Sequence, residues 1–195
     1  MASTTRSSRA APEPGAARRW RPLLLALAVA LLAACARGTV AAPPQARIDQ
    51  AVLVAGPALE ADLRLVFSAT MLEALDRGIP LTLTLELRAT SATQGALVEQ
   101  RRMELRYLPL AQQYQWAQAD GGAPRNFPRR TQLLAALDHV RVALPAAWAE
   151  LPAGAALDLR LALDRRALPG PLRLPALLAR DWRLPEARYA WQHAG

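Results

Sequence analysis

The chain has no lysine, one cysteine, two histidines and only 5% aromatic residues in 195 positions, and each shortage removes a class of chemistry. Without lysine there is no Schiff-base amine, no lysine general base and no phosphate-cradling loop lysine. Cys35 stands alone, so no disulfide can form within one chain, and with only His139 and His193 beside it no standard zinc ligand set can be assembled. All 24 basic residues are arginine. This inventory argues against an enzyme, and no motif implies a cofactor or a metal.

What is present describes a globular chain: 52% of residues are hydrophobic and 21% charged, while 16 prolines call for short elements and frequent stops. At roughly 150 residues per domain the length corresponds to one domain with an appendage, large enough to bury a core without cross-links.

The appendage reads as an address. Met1 to Pro22 hold Arg6, Arg9, Arg18, Arg19 and Arg21 against Glu13 alone, and Leu23 to Ala36 then run fourteen residues without a charge. A spanning helix needs about 20 apolar residues, so this run suits an export signal better than a permanent anchor. Leu32-Ala33-Ala34-Cys35 resembles a bacterial lipoprotein signal, cut between Ala34 and Cys35, in which the thiol carries a diacylglyceryl group. Two or more acyl chains give the stable anchoring that one chain does not. Position 36 is Ala rather than Asp, which by resemblance to other lipoproteins favours the periplasmic face of the outer membrane. The same residues also fit an ordinary secretory signal cut after Ala36 or Ala42, giving a soluble periplasmic protein, or an uncleaved inner-membrane anchor. The expected organisation is therefore an export signal over 1–34, a tether over 35–46 that includes Pro43 and Pro44, and one β-rich domain over 47–195. With the signal gone, 19 Arg face 15 acidic residues, a net charge of +4. That charge is too modest to argue for nucleic acid.

Alternation dominates the domain. Leu81, Leu83, Leu85 and Leu87 alternate with Thr82, Thr84 and Glu86, and the same period of two recurs in Leu59 to Phe67, Met103 to Tyr107 and Leu157 to Leu163. Tyr114 with Trp116 (Gln113 to Gln118) and Tyr189 with Trp191 (Arg188 to Gln192) add aromatic strands, and Gln50 to Val54 another, with a turn signal at Asp120-Gly121-Gly122. One-sided alternation marks antiparallel sheets with one wet face. The expected fold class is mainly β (α+β): an antiparallel β-sandwich or partly open barrel of about seven strands with two or three short helices. The helices are expected after a Thr70/Glu73 capping box with a stop at Gly78 and Pro80, after Thr131 with Leu133, Leu134, Leu137 and Val140 on one face, and from Pro175 to Arg180.

Chemistry-bearing residues read as structural. Ser68 precedes a helix and Ser91 lies in a polar loop, neither in a nucleophile elbow; His139 ends a helix and His193 lies in a terminus. Asp158, Asp164 and Asp181 supply carboxylates, but Asp158 and Asp164 share a strand's polar face with Arg160 and Arg165, as in a solvated charge ladder. Arg101-Arg102, Arg129-Arg130 and Arg165-Arg166 are pairs whose members face opposite ways on a strand. The densest aromatic-arginine cluster, Trp182, Arg183, Tyr189 and Trp191, is the candidate interaction patch, with core packing at the sheet edge the favoured alternative for its aromatics.

The C-terminal string Leu163-Asp164-Arg165-Arg166-Ala167-Leu168-Pro169-Gly170-Pro171-Leu172-Arg173-Leu174-Pro175-Ala176, followed by Asp181-Trp182-Arg183-Leu184 and Tyr189-Ala190-Trp191, resembles the bacterial family called domain of unknown function 4390. Arg77-Gly78-Ile79-Pro80-Leu81, Leu105-Arg106-Tyr107, Gln113-Tyr114 and Phe127-Pro128 extend the resemblance over residues 47 to 192. It implies an exported protein of the Gram-negative envelope, encoded in many genomes beside a membrane sensor kinase, and contributes no catalytic residue. Two functions are expected to compete: a non-catalytic envelope lipoprotein that docks on a protein partner, such as that kinase, and a periplasmic carrier of a lipid or other apolar ligand. A carrier needs an enclosed apolar cavity; a docking module has a filled core and an exposed apolar patch.

Overall fold

A computed structural model describes residues 43–92, 95–118 and 122–194. Nine strands and three α-helices are formed among these residues, in the order β1 (Gln45–Val54), β2 (Ala58–Val66), α1 (Ala69–Asp76), β3 (Leu81–Ser91), β4 (Gly95–Leu108), β5 (Gln113–Gln118), β6 (Arg125–Phe127), α2 (Arg130–Leu137), β7 (His139–Ala143), β8 (Ala156–Leu163), α3 (Gly170–Leu178) and β9 (Ala187–Gln192). The strands make two antiparallel sheets, β1-β2-β7 and β6-β5-β4-β3-β8-β9, which do not join into a closed barrel. Of the two expected architectures the sandwich is the one adopted.

The core follows from the alternation. Leu81, Leu83, Leu85, Leu87 and Ala89 of β3 are buried, and register sets Leu83, Leu85 and Leu87 opposite Leu163, Leu161 and Leu159 of β8. Met103 and Leu105 of β4 continue the layer, and Leu59, Ala61 and Leu63 of β2 with Val140 and Val142 of β7 supply the facing one. Each leucine fully withdrawn from water is worth about 1.5–3 kcal/mol before entropy is set against it.

Several elements differ from the sequence expectation, for local reasons. In β1 the register slips between Ile48 and Gln50, a bulge at Asp49, so the buried residues are Ile48 and Ala51, three apart. A bulge changes the phase of the alternation, which hides the first half of the strand from a period-two reading. Asp49 is held there by Arg47 at 2.8 Å and Arg64 at 3.2 Å. Val140 belongs to β7, opposite Ala61, rather than to the second helix. Two β-branched valines flanking Arg141 suit an edge strand, and the backbone of Leu63 reaches Asp138 at 2.8 Å to start the pairing. His139 therefore opens a strand instead of closing a helix. Helix α2 starts after Arg129, with no side-chain cap from Thr131, and α3 starts at Gly170, five residues before Pro175.

Helix α1 is capped by Ser68, whose Oγ accepts from the Met71 N–H at 3.1 Å, so the Thr70/Glu73 box is not used. Its end is as expected: Gly78 takes φ +82°, its N–H reaching the Leu75 carbonyl at 2.9 Å and the Ile79 N–H reaching Ala74 at 3.0 Å. Those two bonds make a Schellman closure, which favours glycine at the left-handed position.

Candidate docking face at the C-terminal helix

Pro171 lies in the first turn of α3, where its fixed φ favours helix and its missing N–H costs nothing. Ala176 is buried and Leu172 packs partly against the core, one turn apart on the inner side. Leu174, Leu177 and Leu178 are spaced i, i+3, i+4 and form the opposite stripe, left 72%, 42% and 78% exposed. Arg173 donates from Nε to the Leu168 carbonyl at 2.7 Å, and an Arg165 guanidinium nitrogen lies 3.4 Å from the Leu177 carbonyl at the negative end of the helix.

The stretch that follows is locked down. The backbone carbonyl of Asp181 accepts the Ser68 hydroxyl at 2.6 Å, its carboxylate accepts from Thr70 Oγ1 at 3.3 Å, and Trp182 is buried at 6% exposure. Pro43 and Pro44, the first described residues, share a cleft of about 290 Å³ with Ser68, Thr70, Arg180 and Asp181. The incoming chain and the end of α3 thus meet at one place. Arg180 lines that cleft and is exposed, as are Arg173 on α3 and Arg183.

The four residues expected to form an interaction patch are divided by the structure. Trp182 takes the core alternative and is no part of a surface patch, because the turn at Arg180–Trp182 brings it inward beside α1. Arg183 is exposed. Tyr189 and Trp191 are half-buried on β9, opposite Leu159 and Leu157, with ring centroids 5.6 Å apart. They lie on the inner face of β9, the last strand of the six-stranded sheet, which packs beside β1. Ala34 and Cys35 lie outside the described residues, as do Asp120 and Gly121 of the expected turn.

The carboxylates are engaged in structure. Asp158 accepts from Arg188 at 2.9 and 2.6 Å and from Arg160 at 3.2 Å, and the Arg188 hydrogen bonds, outweighing burial, hold its pKa below the usual carboxylate value. Asp164 accepts from the Arg166 N–H at 3.0 Å. Asp76 receives the Tyr114 hydroxyl at 2.7 Å and the Arg130 guanidinium, tying α1 to β5 and α2; burial first, then this bond, push the Tyr114 phenol up to about 12. His139 Nδ1 lies 2.8 Å from Asp62, and His193 is no frayed end, since its backbone bonds Ala155 and Gly154 at 2.9 and 2.8 Å. Ser91 ends β3 opposite Gly95 in the hairpin. The arginine pair on β4 splits as its strand requires: Arg101 reaches the Ala143 carbonyl at 3.2 Å, while Arg102 stands on the outer face opposite Thr84.

A cleft of about 430 Å³ lies over the start of β3, lined by Thr82, Arg102, Glu104, Arg106 and Asp164 among others. Another, of about 280 Å³, opens at the sandwich margin between Trp116, Arg125, His139 and Arg141, with the Arg125 guanidinium 5.2 Å from the Trp116 ring centroid. Both are lined by charged groups. Among the described residues no group of three or more His, Cys, Asp or Glu is placed to share a metal ion, and no helix is long and apolar enough to cross a membrane.

Sequence reasoning missed the outward stripe of α3. Its signal was present in Leu174, Leu177 and Leu178, but Pro175, taken as a helix start, placed Leu174 outside the helix.

The fold and surface define a small antiparallel two-sheet sandwich carrying an apolar helix at one end. The chain belongs to the family described as Domain of unknown function (DUF4390), whose profile matches residues 45–192, from the first strand to the last. No curated protein and no solved structure matches the chain.

Proposed function

We propose that this protein is a non-catalytic accessory domain of the cell envelope, held by a lipid on Cys35 at the periplasmic face of the outer membrane, that works by docking rather than by turnover or transport. The observation that carries this reading is the exposed Leu174/Leu177/Leu178 stripe beside the point where the chain enters the domain. Exposed leucines grouped on one helix face mark a contact surface, whereas scattered ones do not. Docking is favoured over a lipid cargo because the space between the sheets is occupied by one continuous cluster of side chains, and the clefts at Arg102/Arg106 and Arg125/Arg141 offer charge to a ligand. For a protein partner the surface offered is the outer face of β9 with Arg188 and Ala190, and the exposed Arg183 before it, since Tyr189 and Trp191 share the inner face with Leu159 and Leu157 and β9 lies against β1.

The test combines intact mass of the protein from detergent-solubilised membranes with photo-cross-linking in cells from position 183. Acyl mass on a chain starting at Cys35 and a discrete cross-linked envelope protein are expected. A chain beginning beyond Cys35 without added mass removes the anchor, and a co-purifying lipid in stoichiometric amount with no cross-linked protein replaces docking with carriage.

A further inference from the structure

We propose that the Leu174, Leu177 and Leu178 face of α3 seats in the surface of the bilayer that holds the tether, with Arg173 and Arg180 at the level of the lipid phosphates. This deepens the docking reading and rests on Cys35 as the anchor.

Helix geometry supplies the first reason. At 1.5 Å per residue the nine residues of α3 run about 14 Å, far too short to span, and their apolar stripe is one-sided, which is the form of a helix lying in the interfacial plane. Leu172 and Ala176 hold the inner side on the protein core, so the stripe points away from it as a fixed projection.

The second reason is where the tether arrives. Pro43 lies eight positions after Cys35, a reach of at most about 28 Å at full extension. Pro43 and Pro44 share a cleft with Arg180 and Asp181, two and three residues beyond Leu178. An acylated Cys35 would therefore hold this end of the domain within a few nanometres of the bilayer, at an effective concentration of about millimolar, which a freely diffusing protein must compete against. Weak apolar contacts become occupied under such a constraint.

Charge supplies the third. Between Asp164 and Glu186 the chain has five arginines, and Asp181 is the one acid between those two. Asp164 is bonded to the Arg166 backbone and Asp181 to Thr70, while Arg173 on α3 and Arg180, two residues beyond Leu178, are exposed. Leucines flanked by arginine suit a bilayer that contains anionic phospholipid.

The experiment uses the full mature protein with a single added thiol, Leu178→Cys, carrying an environment-sensitive fluorophore, and Ala153→Cys at the other end of the sandwich as the comparison. Each is reconstituted in vesicles of phosphatidylethanolamine and phosphatidylglycerol with and without lipids bearing a shallow spin-label quencher, and acylation of Cys35 is read by mass on the same preparations. The expected result is a blue-shifted emission at position 178, quenched at least twofold more than at position 153. Leu174→Ser together with Leu177→Ser should abolish that difference while acylation persists. Equal, water-like emission at 178 and 153 on an acylated protein overturns the bilayer seat and leaves the anchor standing. A quenched position 178 on a protein without acyl mass overturns the anchor and leaves the seat standing. Protection of position 178 from aqueous iodide in native membranes, but not in protein-free vesicles, assigns the face to a protein and overturns the seat. Protection that rises with protein density in the vesicles assigns it to a second copy, with the same consequence.

Discussion

Ser68 and Asp181, 113 residues apart, are joined by a 2.6 Å hydrogen bond from the serine hydroxyl to the aspartate's backbone carbonyl, while the same hydroxyl oxygen caps α1 by accepting from Met71. One buried oxygen thus serves as helix cap and as clasp between the start of the domain and the segment behind α3. Ser68→Ala removes both bonds and leaves the Met71 N–H and Asp181 carbonyl without partners. The expected loss is about 2 kcal/mol in urea unfolding, above a simple cap deletion, or about 4–8 °C in melting temperature at this size. A loss below about 0.5 kcal/mol would show that the clasp does not matter to the fold.

Gly78 closes α1 at φ +82°, a conformation that costs an L-residue about 1–2 kcal/mol. Gly78→Ala should destabilise by that amount and Gly78→Asn by less, since asparagine tolerates the left-handed region. A Cβ there would sit 3.6 Å from the Tyr107 carbonyl, ordinary contact, so the ranking reports backbone strain alone. Equal stability of the three proteins would refute it.

Tyr114 donates to Asp76, which also holds Arg130, and its phenol is raised from 10.0 to about 12. The folded state keeps the proton more tightly than the unfolded chain, so the contribution is complete below pH 10 and is lost as pH climbs toward about 12. Tyr114→Phe should cost about 1–2 kcal/mol at neutral pH and flatten the alkaline fall in stability. Melting curves from pH 8 to 11 check this; an unchanged alkaline slope in the variant would place the titration elsewhere.

Asp158 titrates in the opposite sense. Arg188 first, then Arg160, favour its charged form, so its stabilising contribution is present above the ordinary carboxylate range and disappears as pH falls through its lowered folded value. Asp158→Asn should lower stability at neutral pH and lose less than the parent on acidification below about pH 4. Parallel acid-unfolding curves for the two proteins would count against a role for this pair.

Much of the fold was legible because its signal is local. Leucine alternating with threonine and charge in β3 and β8 leaves one face that must be buried, and the pattern survives any arrangement of neighbours. The glycine stop after α1 was legible for the same reason. Less was visible where one element borrowed from another. Val140 satisfies a helical spacing with Leu133 and Leu137 as well as a strand spacing with Val142, and the free edge of β2 decides between them. The bulge at Asp49 is held by Arg64 from the next strand as well as by Arg47, so the sequence of β1 alone does not announce it. At the docking face the three leucines were in plain sequence, but which side of α3 they occupy depends on Leu172 and Ala176 finding the core.

By itself the sequence determined the absence of lysine and of a second cysteine, the antiparallel β class, most of the buried leucines and the family, because composition, period and motif order are properties of neighbours along a chain. Tertiary structure alone decided that the sheets stack as a sandwich, that Trp182 turns inward, and that Leu174, Leu177 and Leu178 stay outside. The physical reason is that burial is allotted by the whole molecule: an apolar side chain is removed from water only where another element arrives to cover it.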